Sequence, residues 1–103
     1  MKIAIDYDET YTAAPILFKL FALAAIQYGH NIKFVTYRPK IGCNEDIEAD
    51  AEDLGIDIIY TAGKQKQHVY EADVWIDDSP ETIVSFENLV NYHDACVASN
   101  DFK

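Results

Sequence analysis

The sequence predicts an α/β domain built on a doubly wound, parallel sheet of four to five strands with helices on both faces. Three observations predict it. Short apolar runs alternate with helix-like segments in the order β-α-β-α-β-α-β-α-β, the pattern that parallel sheets and right-handed crossovers produce. The first run, Ile3-Ala4-Ile5, is continuously apolar, as in a strand covered on both faces. The polar residues with the most chemistry, Asp6, Asp8, Thr36, Asp77 and Asp78, all fall at the carboxyl ends of expected strands. Ligands bind at that end of open α/β sheets.

The elements follow in order. Lys2 to Asp6 is the first strand and Glu9 to Ala14 a polar turn. Pro15 suits the first turn of a helix, where a missing N–H costs little. That helix runs to about Tyr28 and stops at Gly29. Ile16, Leu17, Leu20, Phe21, Leu23, Ala24 and Ile26 make it apolar almost all round, so it is expected to pack deeply against a sheet or a partner chain. Asn31 to Thr36 is the second strand, broken by Tyr37-Arg38-Pro39. After a loop containing Gly42, Asn44 to Leu54 reads as an acidic amphipathic helix with Ile47, Ala51 and Leu54 on one face. Asn44 is its expected N-cap and Gly55 its end. Ile56 to Tyr60 is the third strand, Thr61-Ala62-Gly63 a turn, and Lys64 to Glu71 a short helix. Ala72 to Asp77 is the fourth strand. Ser79 and Pro80 open a further helix to about Leu89, and Ala95 to Ala98 reads as a fifth, edge strand.

At 103 residues the chain is expected to be one domain, 1–103, large enough for a single core. Half of its residues are apolar, which separates it from disordered chains. A net charge of −10 disfavours non-specific binding to nucleic acid and to anionic membranes. The most apolar stretch, Ala13 to Ile26, contains Lys19 and is too short to span a bilayer. Cys43 and Cys96 stand in no metal-ligand spacing and read as reduced thiols, which points to the cytoplasm.

Ile3-Ala4-Ile5-Asp6-Tyr7-Asp8-Glu9-Thr10 carries two aspartates spaced i, i+2 at the end of an apolar run, and Trp75-Ile76-Asp77-Asp78 repeats the theme. Carboxylates beside a hydrophobic core are costly unless a cation or hydrogen bonds meet them. A solvated turn explains one such pair, but two pairs favour a shared metal. Carboxylates converging on one site repel one another, and a hard divalent cation with oxygen ligands, Mg²⁺ above others, relieves that repulsion. An EF-hand fragment does not fit, because Tyr11 occupies its glycine position and Leu17 its final glutamate. His30, His68 and His93 share no ligand spacing.

Together these motifs resemble the haloacid dehalogenase-like phosphatase superfamily. Asp6-Tyr7-Asp8-Glu9-Thr10 matches its Asp-x-Asp-x-Thr motif, Thr36 its second-strand Thr or Ser, Lys64 its helix-borne Lys with Lys66 as the substitute, and Asp77-Asp78 its acidic pair. The match is in family order and spans residues 2 to about 85. The resemblance implies a Rossmann-like catalytic domain and an Mg²⁺-dependent phosphomonoester phosphatase. Asp6 would attack phosphorus and become an aspartyl-phosphate, while Asp8 would act as general acid and then base. Asp6, the Asp8 backbone carbonyl and Asp78 would ligate the metal, with Asp77 behind them or acting through water. Thr36 and Lys64 would hold the phosphoryl oxygens. Thr10 would brace the loop, and Arg38 would contact a substrate phosphate or lie on the surface. The alternative is a catalytically silent metal-binding or regulatory protein on the same fold. A phospho-accepting receiver domain fits poorly, because Tyr60-Thr61 rather than Asp follows the third strand.

Members of this superfamily often carry a cap domain, for which the short connections here leave no room. A capless, open site suits substrates too big for a closed chamber, such as a macromolecular phosphate, a nucleic-acid end or a nucleotide whose base projects out, with a phosphorylated small molecule as the other substrate class. A second subunit acting as a lid, in a homodimer through the apolar helix, is also compatible with this pattern.

Overall fold

The computed structural model describes residues 1–84. Four parallel strands form one sheet: β1 (Lys2–Ile5), β2 (Asn31–Thr36), β3 (Ile58–Tyr60) and β4 (Val74–Ile76), in the spatial order β3-β2-β1-β4. Helix α1 (Pro15–Gln27) joins β1 to β2, and α2 (Glu45–Leu54) joins β2 to β3. The two helices pack on each other, and Lys19 of α1 pairs with Asp53 of α2 at 2.7 Å. Right-handed crossovers running the same way along a sheet put both helices on the same face. The path from β3 back to β4 reverses direction, and among the described residues it carries only one 3₁₀ turn, Lys66–His68.

The alternation of strands and helices read from the sequence is therefore present, but four elements are shorter than expected within the described residues. β3 and β4 hold three residues each. The expected helix from Lys64 to Glu71 reduces to its single 3₁₀ turn, and the helix expected from Pro80 is a single turn at Pro80–Thr82 within the described residues. Its continuation to Leu89, the fifth strand at Ala95 to Ala98, His93 and Cys96 lie outside the described residues.

The core lies between the sheet and the two helices. Ile5, Phe34 and Ile47 are fully buried there, with Ala22, Ala25, Ala51 and Leu54. Tyr7 and Tyr11 meet the Phe34 ring edge-on, with centroids 5.3 and 4.9 Å away. The apolar face of α2 behaves as its spacing predicts. Helix α1 does not. Only Ala22 and Ala25 are buried and Phe18 partly so, while Ile16, Leu17, Leu20 and Leu23 are exposed. Small residues face the sheet and let α1 approach it closely, which turns the large ones outward.

Gly55 ends α2 in the left-handed region, at φ 71°, as a C-terminal cap. A Cβ there would meet nothing within 4 Å, so the cost of adding one is purely conformational. Gly55→Ala is expected to lower stability by about 1 kcal/mol, measured by urea denaturation. An unchanged midpoint would mean that α2 does not need this cap. No helix among the described residues is long and apolar enough to cross a membrane.

Candidate active site

Register builds the site. β1 and β4 are neighbours with Ile5 opposite Ile76, and the Asp6 N–H donates to the Ile76 carbonyl at 2.9 Å. The next residues on the two strands, Asp6 and Asp77, therefore leave the sheet side by side. They flank the point where strand order reverses, since β2 lies on one side of β1 and β4 on the other. Open α/β sheets bind ligands at such a point.

Asp6 is buried, at 8% exposure. The Lys66 Nζ donates to Asp6 Oδ1 at 2.8 Å and to Asp77 Oδ2 at 2.5 Å. Lys66 itself is only 1% exposed, a burial that a lysine tolerates only when paired. Asp77 also accepts the Ser79 N–H at 3.0 Å and the Thr82 hydroxyl at 3.4 Å. The turn after β1 swings back so that the Tyr11 N–H donates to the Asp6 carbonyl, with Glu9 at φ 65°. That return brings Thr10 Oγ1 to 3.0 Å from Asp6 Oδ2 and 3.2 Å from Asp78 Oδ1, while it accepts the Asp78 N–H. Thr10 thus braces both acidic tips.

Asp6, Asp77 and Asp78 each offer a carboxylate oxygen within 4.8 Å of the others. Burial pushes the Asp6 carboxyl up to about 6; Lys66 opposes this, and Asp77 and Asp78 add to it. A cleft of about 180 Å³ opens above the cluster, lined also by Asp8, Glu9 and Tyr37. Larger hollows lie elsewhere on the surface, but this is the one lined by Asp6, Asp77, Asp78 and Lys66 together.

Asp8 lines that cleft, yet its carboxylate is engaged. Arg38 donates to it through Nε at 2.9 Å and Nη2 at 2.6 Å, and to Asp46 at 2.7 and 3.0 Å. The guanidinium also sits 5.3 Å from the Tyr7 ring centroid. Arg38 holds the Asp46 carboxyl down to about 2. So Arg38, expected at a substrate phosphate or on the surface, instead ties Asp8 to the start of α2.

Two further expectations are revised by position. Lys66, not Lys64, reaches the carboxylates; Lys64 is exposed. The turn carries the chain two residues further than the helix expected from Lys64, through Ala62 and Gly63, both at positive φ. Thr36 is buried at 1% exposure and its hydroxyl accepts the Arg38 N–H at 3.3 Å; it does not line the cleft, although its neighbour Tyr37 does. Asp46 was not singled out in the sequence, and only its place at the first turn of α2 hinted at a role.

No family model, curated protein or solved structure matches the chain.

The donor set fits a hard cation. Its oxygens come from carboxylates, the softer ligands Cys and His are absent from the lining among the described residues, and one lysine does not balance Asp6, Asp77 and Asp78. Asp78 is the exposed member of the three, whereas Asp77 is spent on Lys66, Ser79 and Thr82. Asp78 is thus the member most open to a cation, while both Asp6 oxygens are engaged, by Lys66 and by Thr10.

Proposed function

We propose that this chain is an Mg²⁺-dependent phosphomonoester phosphatase of the haloacid dehalogenase-like type, with Asp6 as nucleophile. The observation that carries the reading is the meeting of buried Asp6 with Asp77, Asp78 and Lys66 at the sheet's switch point, from segments far apart in the chain. The doubly wound arrangement with helices on both faces belongs to the same reading.

Asp6 and Asp78, with the Asp8 backbone carbonyl, would hold Mg²⁺, and Asp77 would support them. When bound, the cation supplies positive charge that offsets the phosphoryl oxygens and the carboxylates. Asp6 attacks phosphorus, the Oδ–P bond forms, and the bond to the leaving oxygen breaks. Asp8 gives that oxygen its proton. Water then attacks phosphorus, Asp8 takes the water's proton, and Asp6 is released as a carboxylate. Lys66 sets the charge around Asp6, and Thr10 fixes its orientation by hydrogen bonding to both acidic tips. Asp8 must first leave Arg38, to which it is held by two hydrogen bonds.

That engagement favours a second reading, a metal-binding protein without turnover. An aryl phosphate assay decides between the two. The phosphatase reading expects Mg²⁺-dependent release that stops on chelation. It also expects Asp8→Asn to accumulate phosphorylated Asp6, because loss of the base slows hydrolysis more than attack on a good leaving group. Metal binding with no turnover and no trapped phosphoenzyme supports the silent protein. The cleft opens to solvent beside the exposed Asp78, so the substrate class stays broad, from phosphorylated metabolites to nucleotides and oligonucleotide ends in a cytoplasmic setting.

A further inference from the structure

Helix α1 turns an apolar surface to solvent. Ile16 is 78% exposed, Leu17 62%, Leu20 63% and Leu23 43%. Beside this stripe, Phe21 and Ala24 of α1 and Tyr28 just beyond its end line a groove of about 410 Å³ with Met1, Ile3 and Val74. The one charged residue of the helix, Lys19, is already paired with Asp53. The stripe therefore offers no free charge for a partner to read, only spaced branched side chains that suit another helix of the same kind.

Its dimensions set the scale of an interface. A helix of this length is about 20 Å long and about 10 Å across. With the groove it offers a few hundred Å², the size of the largest apolar patch on an ordinary monomer and, doubled across two copies, at the lower end of what a reversible dimer uses. The described chain ends at Val84, next to the Lys66–His68 turn, where the Gln67 N–H donates to the Ile83 carbonyl. That turn belongs to the crossover from β3 back to β4, which right-handedness assigns to the face opposite α1. The described residues thus end on the side of the sheet away from this stripe.

We propose that a second copy of this chain covers α1, forming a reversible isologous dimer in which each copy's α1 stripe packs on the other's. Because each copy carries −10, repulsion opposes the contact, and the dimer strengthens as salt screens it.

Sedimentation of the full chain, from on the order of 1 µM to on the order of 1 mM, tests this. The mass is expected to rise from 11.7 kDa toward twice that value, and at lower concentration when salt is raised. Leu20→Glu and, separately, Ile16→Glu are expected to weaken association at least about 30-fold, as for hot-spot positions. Both sites are exposed, and circular dichroism checks that each variant folds. A wild-type chain that stays monomeric throughout overturns the proposal. If Leu20→Cys is then shielded from a maleimide, residues 85–103 cover the stripe instead. If the monomer floats with phosphatidylcholine vesicles, a lipid surface does. A dimer unchanged in both charged variants overturns it as well, by placing the contact elsewhere.

Discussion

Asp6→Asn is expected to reduce phosphatase turnover by about three orders of magnitude or more without weakening the fold. The activity loss follows because an amide cannot form the acyl phosphate on which the proposed route depends. The stability argument runs the other way. The folded Asp6 carboxyl titrates near 6, above its ordinary 3.8. A raised acid holds its proton more tightly when folded, so its contribution is full below about pH 4 and is lost as pH rises to 6. At pH 7 the wild-type chain carries a buried charge that the fold disfavours, at a cost on the order of 2–3 kcal/mol. Asparagine removes that cost, and Lys66 keeps Asp77 as its partner. The variant should therefore unfold at equal or higher urea concentration at pH 7, with a flatter pH dependence between 4 and 6. Retained turnover would remove Asp6 from the chemistry, and a collapse in stability would make the dead variant uninformative about it.

The opposite balance is expected at Lys66. Lys66→Met keeps length and apolar volume but leaves Asp6 and Asp77 facing each other without a counter-charge. Breaking a buried ion pair from one side costs about 3–5 kcal/mol, much more than an exposed pair such as Lys19–Asp53 contributes. Urea unfolding at pH 7 measures this loss. Part of it should return at pH 5, where a protonated carboxyl tolerates burial. A loss below about 1 kcal/mol would mean that solvent reaches Asp6 and Asp77 and that burial does not set the strength of their pairing with Lys66.

The acidic tips were legible in the sequence because each is local: an apolar run long enough for a strand, then carboxylates where the strand must end. Which of Lys64 and Lys66 joins them was not, because irregular turns have no period. Lys64 follows Gly63 and looked like the start of a helix, whereas positive φ at Ala62 and Gly63 carries the chain on to Lys66 before it turns inward. The Asp8–Arg38–Asp46 bridge is equally hidden, since it joins three elements and follows from no spacing within any of them. Helix α1 misled for a different reason. Apolar residues all round read as burial, but hydropathy does not tell which surface does the burying. Ala22 and Ala25 take the sheet side and leave the leucines outward.

Pairing of β1 with β4 has a temporal consequence. Lys2 and Asp73, hydrogen-bonded at the base of that pair, are 71 residues apart in the chain. Contacts this distant are slow to form, because the loop they close must be ordered before any energy returns from it. A ribosome-bound nascent chain that has already folded β1, β2 and α1 still carries Asp6 with neither its lysine nor its acidic neighbours. Competence for chemistry would then arrive in one late step, with the docking of a three-residue strand.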